Sequence, residues 1–215
     1  MFANSTTLAF FPTFVWLRDL APADFEPMNQ DIMKVIDEIR KKGIVPDEPT
    51  AYQTDYNLHQ RPELARLVEI VNIAAKEIFE FLKLEDAEFG MTGCWASISQ
   101  PGAAHHEHSH PNNYLSGVYY VKTPAGGDTI TFADPRPTAH VIAPRAKKRT
   151  MHVANEMFIN AQPGRLVLFP AWLRHSVPFN KSNEERISVA FNLMFTDFYE
   201  QFAKPVWTGK VKPKE

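Results

Sequence analysis

The chain has 215 residues, of which 44% are hydrophobic and 22% are charged, so it is long enough to bury a substantial core within one domain. Its 23 basic and 25 acidic side chains leave a formal net charge of −2, which gives no electrostatic basis for binding nucleic acid or a membrane surface. The single cysteine, Cys94, excludes an internal disulfide and is typical of a reducing compartment, so we expect a cytoplasmic protein.

The apolar run from Leu8 to Phe11 is the first candidate element. It lacks the basic flank of a secretory signal, and Pro12 and Arg18 interrupt it before it could span a membrane. We therefore predict a buried strand at this position.

Two amphipathic helices are predicted next in the chain. Pro27 occupies a position typical of a first helical turn, and Lys41, Lys42 and Gly43 end the pattern that follows it. Pro62 marks the start of the second helix, whose apolar side chains recur at helical spacing for five turns. The apolar stripes, which we interpret as packing surfaces, comprise Ile32, Val35, Ile36 and Ile39 in the first helix and Leu64, Leu67, Val68, Val71, Ala75, Ile78, Phe79 and Leu82 in the second.

Beyond Gly90 the helical periodicity gives way to short runs of β-branched and aromatic residues separated by Gly, Pro and Asn. The predicted strands are Cys94–Gln100, Tyr114–Lys122, Asp128–Phe132, Val167–Phe169 and Arg186–Phe195. Helices followed by many strands with no helix between them indicate antiparallel sheets, arranged as a sandwich or a small barrel. We expect one mainly β domain over 1–215, with an N-terminal strand and helices in 1–89, a β core in 90–200 and a tail in 201–215.

The stretch Thr138–Asn160 interrupts the series of strands and predicts an insertion or a long hairpin. It contains Arg145, Lys147, Lys148 and Arg149. A solvated loop is the more frequent structure for such a segment, and a mobile lid is the alternative.

Four of the eight histidines lie within six residues, in the segment His105–His110. Histidine is the commonest metal-binding side chain, and residues two apart on an extended segment point to the same side. Two histidines separated by one residue can therefore offer both imidazoles to one ion. A histidine-rich surface loop would show the same pattern, so the cluster alone does not establish a metal site.

Polar residues also recur on one side of an apolar strand near the C-terminus. His175 follows an apolar strand, and eleven residues later Arg186 opens the next one. By alternation Arg186, Ser188, Ala190 and Asn192 share a face. That face is either the outer, solvated one or the lining of a barrel that binds an anion, because the planar fork of arginine matches a carboxylate.

An ordered series of short motifs resembles the iron(II) and 2-oxoglutarate-dependent oxygenase superfamily, and within it the prolyl-hydroxylase-like branch. The motifs are Val118-Tyr119-Tyr120-Val121, Gly126-Gly127-Asp128-Thr129, Pro163-Gly164-Arg165-Leu166-Val167-Leu168-Phe169, His175 and Arg186-Ile187-Ser188. A second set of motifs resembles an uncharacterised subfamily of such oxygenases from bacteria and phages. These motifs are Phe10-Phe11-Pro12-Thr13, His108-Ser109-His110-Pro111, Ser116-Gly117-Val118-Tyr119-Tyr120 and Phe132-Ala133-Asp134-Pro135-Arg136. The resemblance covers nearly the whole chain. It implies a double-stranded β-helix (jelly-roll) with two amphipathic helices packed outside it.

The resemblance also implies roles for individual residues. His175 corresponds to the distal iron ligand of the superfamily, and Arg186 to the arginine that binds the C5 carboxylate of 2-oxoglutarate. Ser188 stands beside it in the Arg-x-Ser pattern of several members, and Tyr120 stands where a tyrosine hydroxyl often contacts the same carboxylate. For Tyr120, a core aromatic ring with a satisfied hydroxyl is an equally weighted alternative.

The proximal iron ligands depart from the usual pattern, in which a histidine and a carboxylate one residue apart complete a two-histidine, one-carboxylate triad. His108 with His110 best matches the subfamily and is our first prediction. His105 with Glu107 would restore the carboxylate, and His106 with His108 is the third ligand set. A three-histidine site carries one more positive charge, which favours a dianionic cosubstrate but leaves the identity of the metal open.

The implied function is that of a dioxygenase that uses iron(II), 2-oxoglutarate and dioxygen to hydroxylate a substrate, releasing succinate and carbon dioxide. The alternatives are a non-catalytic metal-binding jelly-roll module and a cupin-type three-histidine metalloenzyme that does not use 2-oxoglutarate. The substrate is open between a small molecule and a protein side chain, and a homodimer is allowed. Residues that would line the mouth of the site, or equally serve packing and turns, are Trp95, Asn112, Asn113, Tyr114 and Trp172.

Overall fold

The computed structural model describes residues 1–42, 51–136, 138–139, 141–142 and 144–198. Within these ranges, helix α1 is Pro22–Lys41 and helix α2 is Ala65–Leu82. The strands are β1 Trp16–Asp19, β2 Ala51–Gln53, β3 Phe89–Ser99, β4 His105–His108, β5 Leu115–Lys122, β6 Thr129–Ala133, β7 Glu156–Asn160, β8 Arg165–Pro170, β9 His175–Val177 and β10 Arg186–Phe195.

The strands form two antiparallel sheets that face each other. The larger sheet has the strand order β1-β8-β5-β10-β3-β2, and the smaller sheet has the order β4-β9-β6-β7. The facing sides are in contact, since the rings of Phe132 in the smaller sheet and Phe169 in the larger sheet are 5.0 Å apart. The predicted mainly β architecture of a jelly-roll with two helices outside it is therefore confirmed.

Alternation along the central strands divides the interior into two cores. Ile187, Val189 and Phe191 of β10 belong to the core between the larger sheet and the helices. Val118 of β5 and Val167 of β8 belong to the second core, between the two sheets. Because side chains two residues apart share a face, the pattern of each strand assigns its residues to one core or the other.

The helices cover the outer face of the larger sheet, but the predicted start of α1 at Pro27 is wrong. The first-turn proline is Pro22, and Pro27 lies inside the helix. Proline suits the first turn because an N–H there has no helical acceptor, so Pro22 was the better candidate of the two. For α2 the prediction holds, since a 3-10 turn at Pro62–Leu64 leads directly into the helix. The helix ends where Lys83 adopts a left-handed conformation with a φ of 56°.

The buried strand predicted at Leu8–Phe11 is also wrong. These residues form no strand and are exposed, with Phe11 at 97%. The first strand begins at Trp16 and pairs with β8. Pro12 removes a donor that a sheet ladder would need, whereas β1 alternates half-buried and exposed side chains as an edge strand does. No helix within the described residues is long and apolar enough to cross a membrane.

The segment predicted as an insertion or long hairpin is a hairpin. β7 pairs with β6 along its whole length, so the last five residues of the predicted loop form a strand. The connection runs over 134–155, of which 137, 140 and 143 lie outside the described residues, as does the predicted tail at 201–215. The mobile-lid alternative and the division into 1–89, 90–200 and 201–215 stay predictions, although β1 and β2 of the first part join the larger sheet.

Candidate metal and cosubstrate site

Three histidines converge at one end of the space between the sheets. His108 ends β4, His175 begins β9 directly opposite it, and His110 follows two residues after His108. One ligand atom from each of the three lies within 4.8 Å of the others. The ring centroids of His108 and His175 are 4.4 Å apart, and those of His110 and His175 are 5.2 Å apart.

An irregularity in β4 brings a fourth histidine next to this cluster. His105 lies opposite Val177, and His108 lies opposite His175, so three steps along β4 match two along β9. The extra residue is a β-bulge, which brings His105 and His108 to the same side of the strand. Their rings stack with centroids 4.5 Å apart. Simple alternation would have placed these two side chains on opposite faces.

Glu107 does not reach the cluster. Its carboxylate accepts a hydrogen bond of 2.7 Å from Nη1 of Arg174, and both side chains are about half exposed. Within the described part of the chain, the metal-type cluster consists of His108, His110 and His175. The geometry therefore favours our first ligand set over the one that contains Glu107.

Hydrogen bonds and burial prepare the histidines for binding a metal. Nδ1 of His108 lies 2.8 Å from the carbonyl oxygen of His106, and Nδ1 of His175 lies 2.9 Å from that of Leu173. Each carbonyl oxygen accepts a hydrogen bond from the Nδ1–H group, which leaves the lone pair of Nε2 for a metal. Burial lowers the pKa of His110 to about 4 and that of His175 to about 3, and the neighbouring imidazoles add to the effect. Both rings are therefore neutral at neutral pH, as a metal ligand must be.

Arg186 lies buried between the sheets without an anionic partner among the described residues. It opens β10 and is 4% exposed. Its only hydrogen bond within the described residues runs from Nη1 to the carbonyl oxygen of Thr129 at 3.5 Å, and its Nε has none. Burial lowers the pKa of the guanidinium, which means that the charged form costs free energy in this position. Arg165 contrasts with it, because Asp19 holds that guanidinium through two hydrogen bonds of 2.6 and 2.7 Å.

The two predicted companions of Arg186 lie beside it. Ser188 is 2% exposed and faces Tyr120 across the β10–β5 pair, and the guanidinium carbon of Arg186 lies 6.0 Å from the centre of the Tyr120 ring. The Tyr120 hydroxyl is buried and has no hydrogen-bond partner in the described ranges, and burial raises its pKa to about 12. The adjacent Tyr119 instead donates to Oδ1 of Asn29 at 2.6 Å. The polar face of β10 is therefore the inner one, and Tyr120 lacks the satisfied hydroxyl that the alternative interpretation required.

The residues predicted at the mouth of the site lie in different environments. The ring of Trp95 lies 5.9 Å from that of His110, and its buried Nε1 has no partner among the described residues. Tyr114 packs against Phe79 of α2, on the other side of the sheet. Asn112 is a left-handed turn residue with a φ of 64°, Asn113 bonds to Thr92, and Trp172 is 57% exposed. Of this group, the structure places Trp95 beside the cluster.

A hydrogen-bonded pair between β5 and β10 was missed by the sequence analysis. The hydroxyl of Ser116 donates to Oδ1 of Asn192 at 2.7 Å, and both side chains are buried. The available signal was alternation, because Ser116 shares a face with Val118 and Tyr120. No spacing rule shows that two polar residues of different strands will be neighbours, so only their pairing across β5 and β10 reveals the contact.

Comparisons with known proteins relate the part of the chain that carries the site to one family. Residues 93–192 match the family described as "Putative 2OG-Fe(II) oxygenase". This range contains the three histidines, Arg186, Ser188 and Tyr120. These 100 of the 215 residues are therefore similar to that family of oxygenases. No curated protein matches the sequence.

Solved structures share the fold at low sequence identity. A prolyl-4-hydroxylase from Pseudomonas putida is 17% identical with a TM-score of 0.53, over 85% of this chain and 87% of that one. AviO1 from Streptomyces viridochromogenes Tue57 is 13% identical with a TM-score of 0.59, over 86% and 90%. HygX from Streptomyces hygroscopicus, solved with nickel and 2-oxoglutarate bound, is 10% identical with a TM-score of 0.59, over 86% and 83%. At these identities the likeness establishes the fold.

Proposed function

We propose that the protein is a 2-oxoglutarate-dependent dioxygenase that holds iron(II) with His108, His110 and His175 and hydroxylates a substrate that enters beside them. The observation that carries the proposal is Arg186, a buried guanidinium with no carboxylate partner among the described residues. A buried charge is costly unless it is paired, so its presence beside a metal-type cluster indicates an anionic ligand.

The histidine cluster fits iron(II) by the chemistry of its donors. Imidazole nitrogen is a good ligand for iron, and three donors on one side leave further coordination positions open. Carbonyl hydrogen bonds fix the ring orientation of His108 and His175, as is usual for ligands that must present Nε2. Three neutral imidazoles leave both positive charges of the ion uncompensated, which favours an anionic cosubstrate more strongly than a carboxylate-containing triad does.

Arg186 and its neighbours fit the far carboxylate of 2-oxoglutarate. The guanidinium offers a planar fork for two parallel hydrogen bonds, and the Ser188 and Tyr120 hydroxyls are further donors. The His105 ring stacks on that of His108, and its pKa is lowered by burial first, then by His108 and by the charge of Arg186. We therefore assign His105 to the walls of the cosubstrate channel rather than to the metal.

The remaining walls of the site keep water away from the reaction. Val118, Val167, Phe132 and Phe169 are buried between the sheets, and the Phe169 ring lies 4.6 Å from that of His175. Iron(II) and 2-oxoglutarate, when bound, supply the activation of dioxygen, in which 2-oxoglutarate is converted to succinate and carbon dioxide. The chain itself supplies ligand geometry, a carboxylate clamp and an apolar enclosure.

An anaerobic titration with iron(II) and 2-oxoglutarate tests the proposal. Chelation of the metal by the 2-oxo acid should produce a weak visible charge-transfer band, which iron(II) or 2-oxoglutarate alone does not give. When succinate is added in place of 2-oxoglutarate, no band should appear, because succinate retains the carboxylates but lacks the keto oxygen. If the protein binds iron(II) but no band appears, the proposal is wrong.

The three-histidine ligand set favours one second candidate, a cupin-type metalloenzyme that does not use a 2-oxo acid. Such an enzyme needs the histidines but gives the buried Arg186 no ligand. The same titration separates the two functions, since the second candidate binds iron(II) without a band and without dependence on 2-oxoglutarate. A non-catalytic jelly-roll module predicts that iron and 2-oxoglutarate bind independently or not at all.

A further inference from the structure

The connection between β6 and β7 leaves the barrel at the metal end. Across the smaller sheet, His108 lies opposite His175, His175 opposite Phe132, and Phe132 opposite Met157. This row runs from the histidine cluster to the edge of the sheet. The connection, residues 134–155, begins and ends within two residues of the row, and Asp134 donates its backbone N–H to the carbonyl oxygen of Asn155. Its base is therefore part of the rim through which a substrate reaches the metal.

The connection carries a net positive charge, whereas the rest of the chain taken together carries a net negative one. It contains five basic residues and one acidic residue, which gives +4, whereas the whole chain carries −2. The remaining residues therefore carry −6. Such a separation produces a local field that favours an anion at this rim and opposes one elsewhere on the surface.

Most of this charge is not neutralised within the protein. Arg136 pairs with Asp134 at 2.7 Å, and Arg149 donates to the carbonyl oxygen of Glu156 at 2.6 Å. Within the connection, the exposed basic residues that form no ion pair with any described residue are Arg145, Lys147 and Lys148. We call these three residues the basic rim.

Strand β7 next to the basic rim has an open edge. It is the last strand of the smaller sheet, and its carbonyl groups at Glu156 and Asn160 point away from β6, because they accept hydrogen bonds from Arg149 and Arg165. Phe158 lies midway between them, so by alternation its N–H and C=O point to the same open side. Its side chain is 58% exposed. An extended chain can pair with such an edge.

We infer that β7 and the basic rim dock an extended acidic peptide, which presents the side chain to be oxidised to the metal. Phe158 supplies the backbone hydrogen bonds, since the carbonyl groups of Glu156 and Asn160 on the same edge already accept from Arg149 and Arg165. The basic rim supplies charge complementarity to glutamate or aspartate side chains. Met157, at the end of the row that includes His175, is 44% exposed and offers an apolar contact on the way in. The inference rests on the proposed function only in calling this peptide the substrate.

Other polyanions fit the surface less well. The connection contains no Phe, Tyr or Trp, so it lacks the stacking platforms that single-stranded nucleic acids use. A long polyanion would also meet the net charge of −6 on the rest of the chain. An exposed strand edge matches a polypeptide, whereas nucleic acids and lipid headgroups have no complementary ladder of donors and acceptors.

Charge reversal of the basic rim tests the electrostatic part. The full-length protein, without iron or 2-oxoglutarate, is titrated into a fluorescein-labelled peptide of alternating glutamate and threonine, and anisotropy is recorded. The triple variant Arg145→Glu, Lys147→Glu, Lys148→Glu should bind about tenfold or more weakly, with a reduced salt dependence. The matched control reverses three exposed lysines that form no ion pair with any described residue: Lys41→Glu in α1, Lys42→Glu at the C-terminal cap of α1 and Lys76→Glu in α2. This control should bind nearly as well as the unchanged protein.

Equal weakening in both triple variants would overturn the inference, because net charge alone would then explain binding. So would tighter binding of a single-stranded oligonucleotide of equal charge, or of phosphatidylserine vesicles. This titration needs neither iron nor 2-oxoglutarate, so its failure is separate from that of the charge-transfer experiment.

Two substitutions at one position test the open edge. Phe158→Pro removes an N–H that faces outward and leaves the β6–β7 ladder intact, so the fold should tolerate it. Phe158→Ala removes the ring and keeps the N–H. The proline variant should bind the acidic peptide at least about threefold more weakly than the alanine variant, as expected for one lost hydrogen bond. Equal affinities, with both variants folded by circular dichroism, would overturn β7 pairing.

Discussion

Replacement of Arg186 by methionine isolates the proposed carboxylate clamp. Methionine has a similar length but no charge, and the guanidinium makes only one long hydrogen bond within the described residues, at 3.5 Å. The substitution therefore removes contacts to a ligand and few contacts within the protein. Loss of a charge-assisted bidentate contact costs about 2–4 kcal/mol, so 2-oxoglutarate affinity should fall about 30- to 1,000-fold. Metal affinity should change little.

The stability of the ligand-free protein provides a second readout for the same variant. Burial lowers the pKa of Arg186, so the folded state is penalised for carrying this charge at any pH below that pKa. Methionine removes the penalty, and the free energy of unfolding should stay unchanged or rise by about 1–3 kcal/mol. A structural arginine would give the opposite sign, because its loss would leave partners without hydrogen bonds.

Calorimetric titration of 2-oxoglutarate into the metal-loaded protein measures the first effect, and chemical denaturation without metal measures the second. Arg165→Met is the matched control, since this guanidinium lies near Tyr120 but is held by Asp19. The affinity of the Arg165→Met variant for 2-oxoglutarate should change by less than about threefold, because the charge of Arg165 is already compensated by Asp19. Tight binding of 2-oxoglutarate by the Arg186 variant, or an equal loss in the control, would refute the assignment.

Three further predictions concern the metal, the ligands and the core. His108→Ala and His110→Ala should each abolish stoichiometric metal binding measured by calorimetry, whereas Glu107→Ala should leave it unchanged; the reverse pattern would show that the carboxylate is the ligand. Metal and 2-oxoglutarate together should raise the melting temperature more than the sum of their separate effects. Each ligand should stabilise the folded state by about 2.7 kcal/mol at a hundredfold excess over its dissociation constant. Additive or absent shifts would count against an oxygenase. Gly117→Ala should destabilise the protein by about 1–3 kcal/mol in chemical denaturation. The reason is that a Cβ at this position would overlap the Phe191 ring and lie 2.9 Å from the carbonyl oxygen of Val167. Unchanged stability would mean that the sheet can adjust.

Features that depend on local spacing could be predicted from the sequence. The alternation of β10 separated Arg186 and Ser188 from Ile187 and Val189, and the structure places the first pair between the sheets and the second against the helices. The second helix followed from its apolar spacing and from Pro62. These features are set by the 3.6-residue and two-residue periods of the backbone, which act within one element.

Local patterns misled where competing signals were close in the chain. Pro22 and Pro27 both suit a helix start, and only the extent of the helix decides between them. The run Leu8–Phe11 is apolar enough for a strand, but it pairs with no strand in the described part of the chain. An apolar segment becomes a strand only when another strand completes its hydrogen bonds, and that depends on residues distant in sequence.

The site shows the same division between local and long-range information. The sequence contained the histidine segment, His175 and Arg186, and the family resemblance supplied their expected order. The sequence left three ligand sets open, because the choice between them depends on the β-bulge in β4 and on the pairing of β4 with β9. It also could not tell which hydroxyl of Tyr119 and Tyr120 lacks a partner, since that depends on Asn29 in α1 reaching Tyr119.

The sequence by itself therefore determined the second helix, the two alternating faces of β10 and the types of ligand that the chain can offer. Tertiary structure decided that His108, His110 and His175 meet, that Glu107 turns to Arg174, and that Arg186 is left without a carboxylate among the described residues. The physical reason is that periodicity is fixed by covalent geometry within a few residues. Convergence of side chains from different strands is fixed only when the strands have paired and the two sheets have closed on each other.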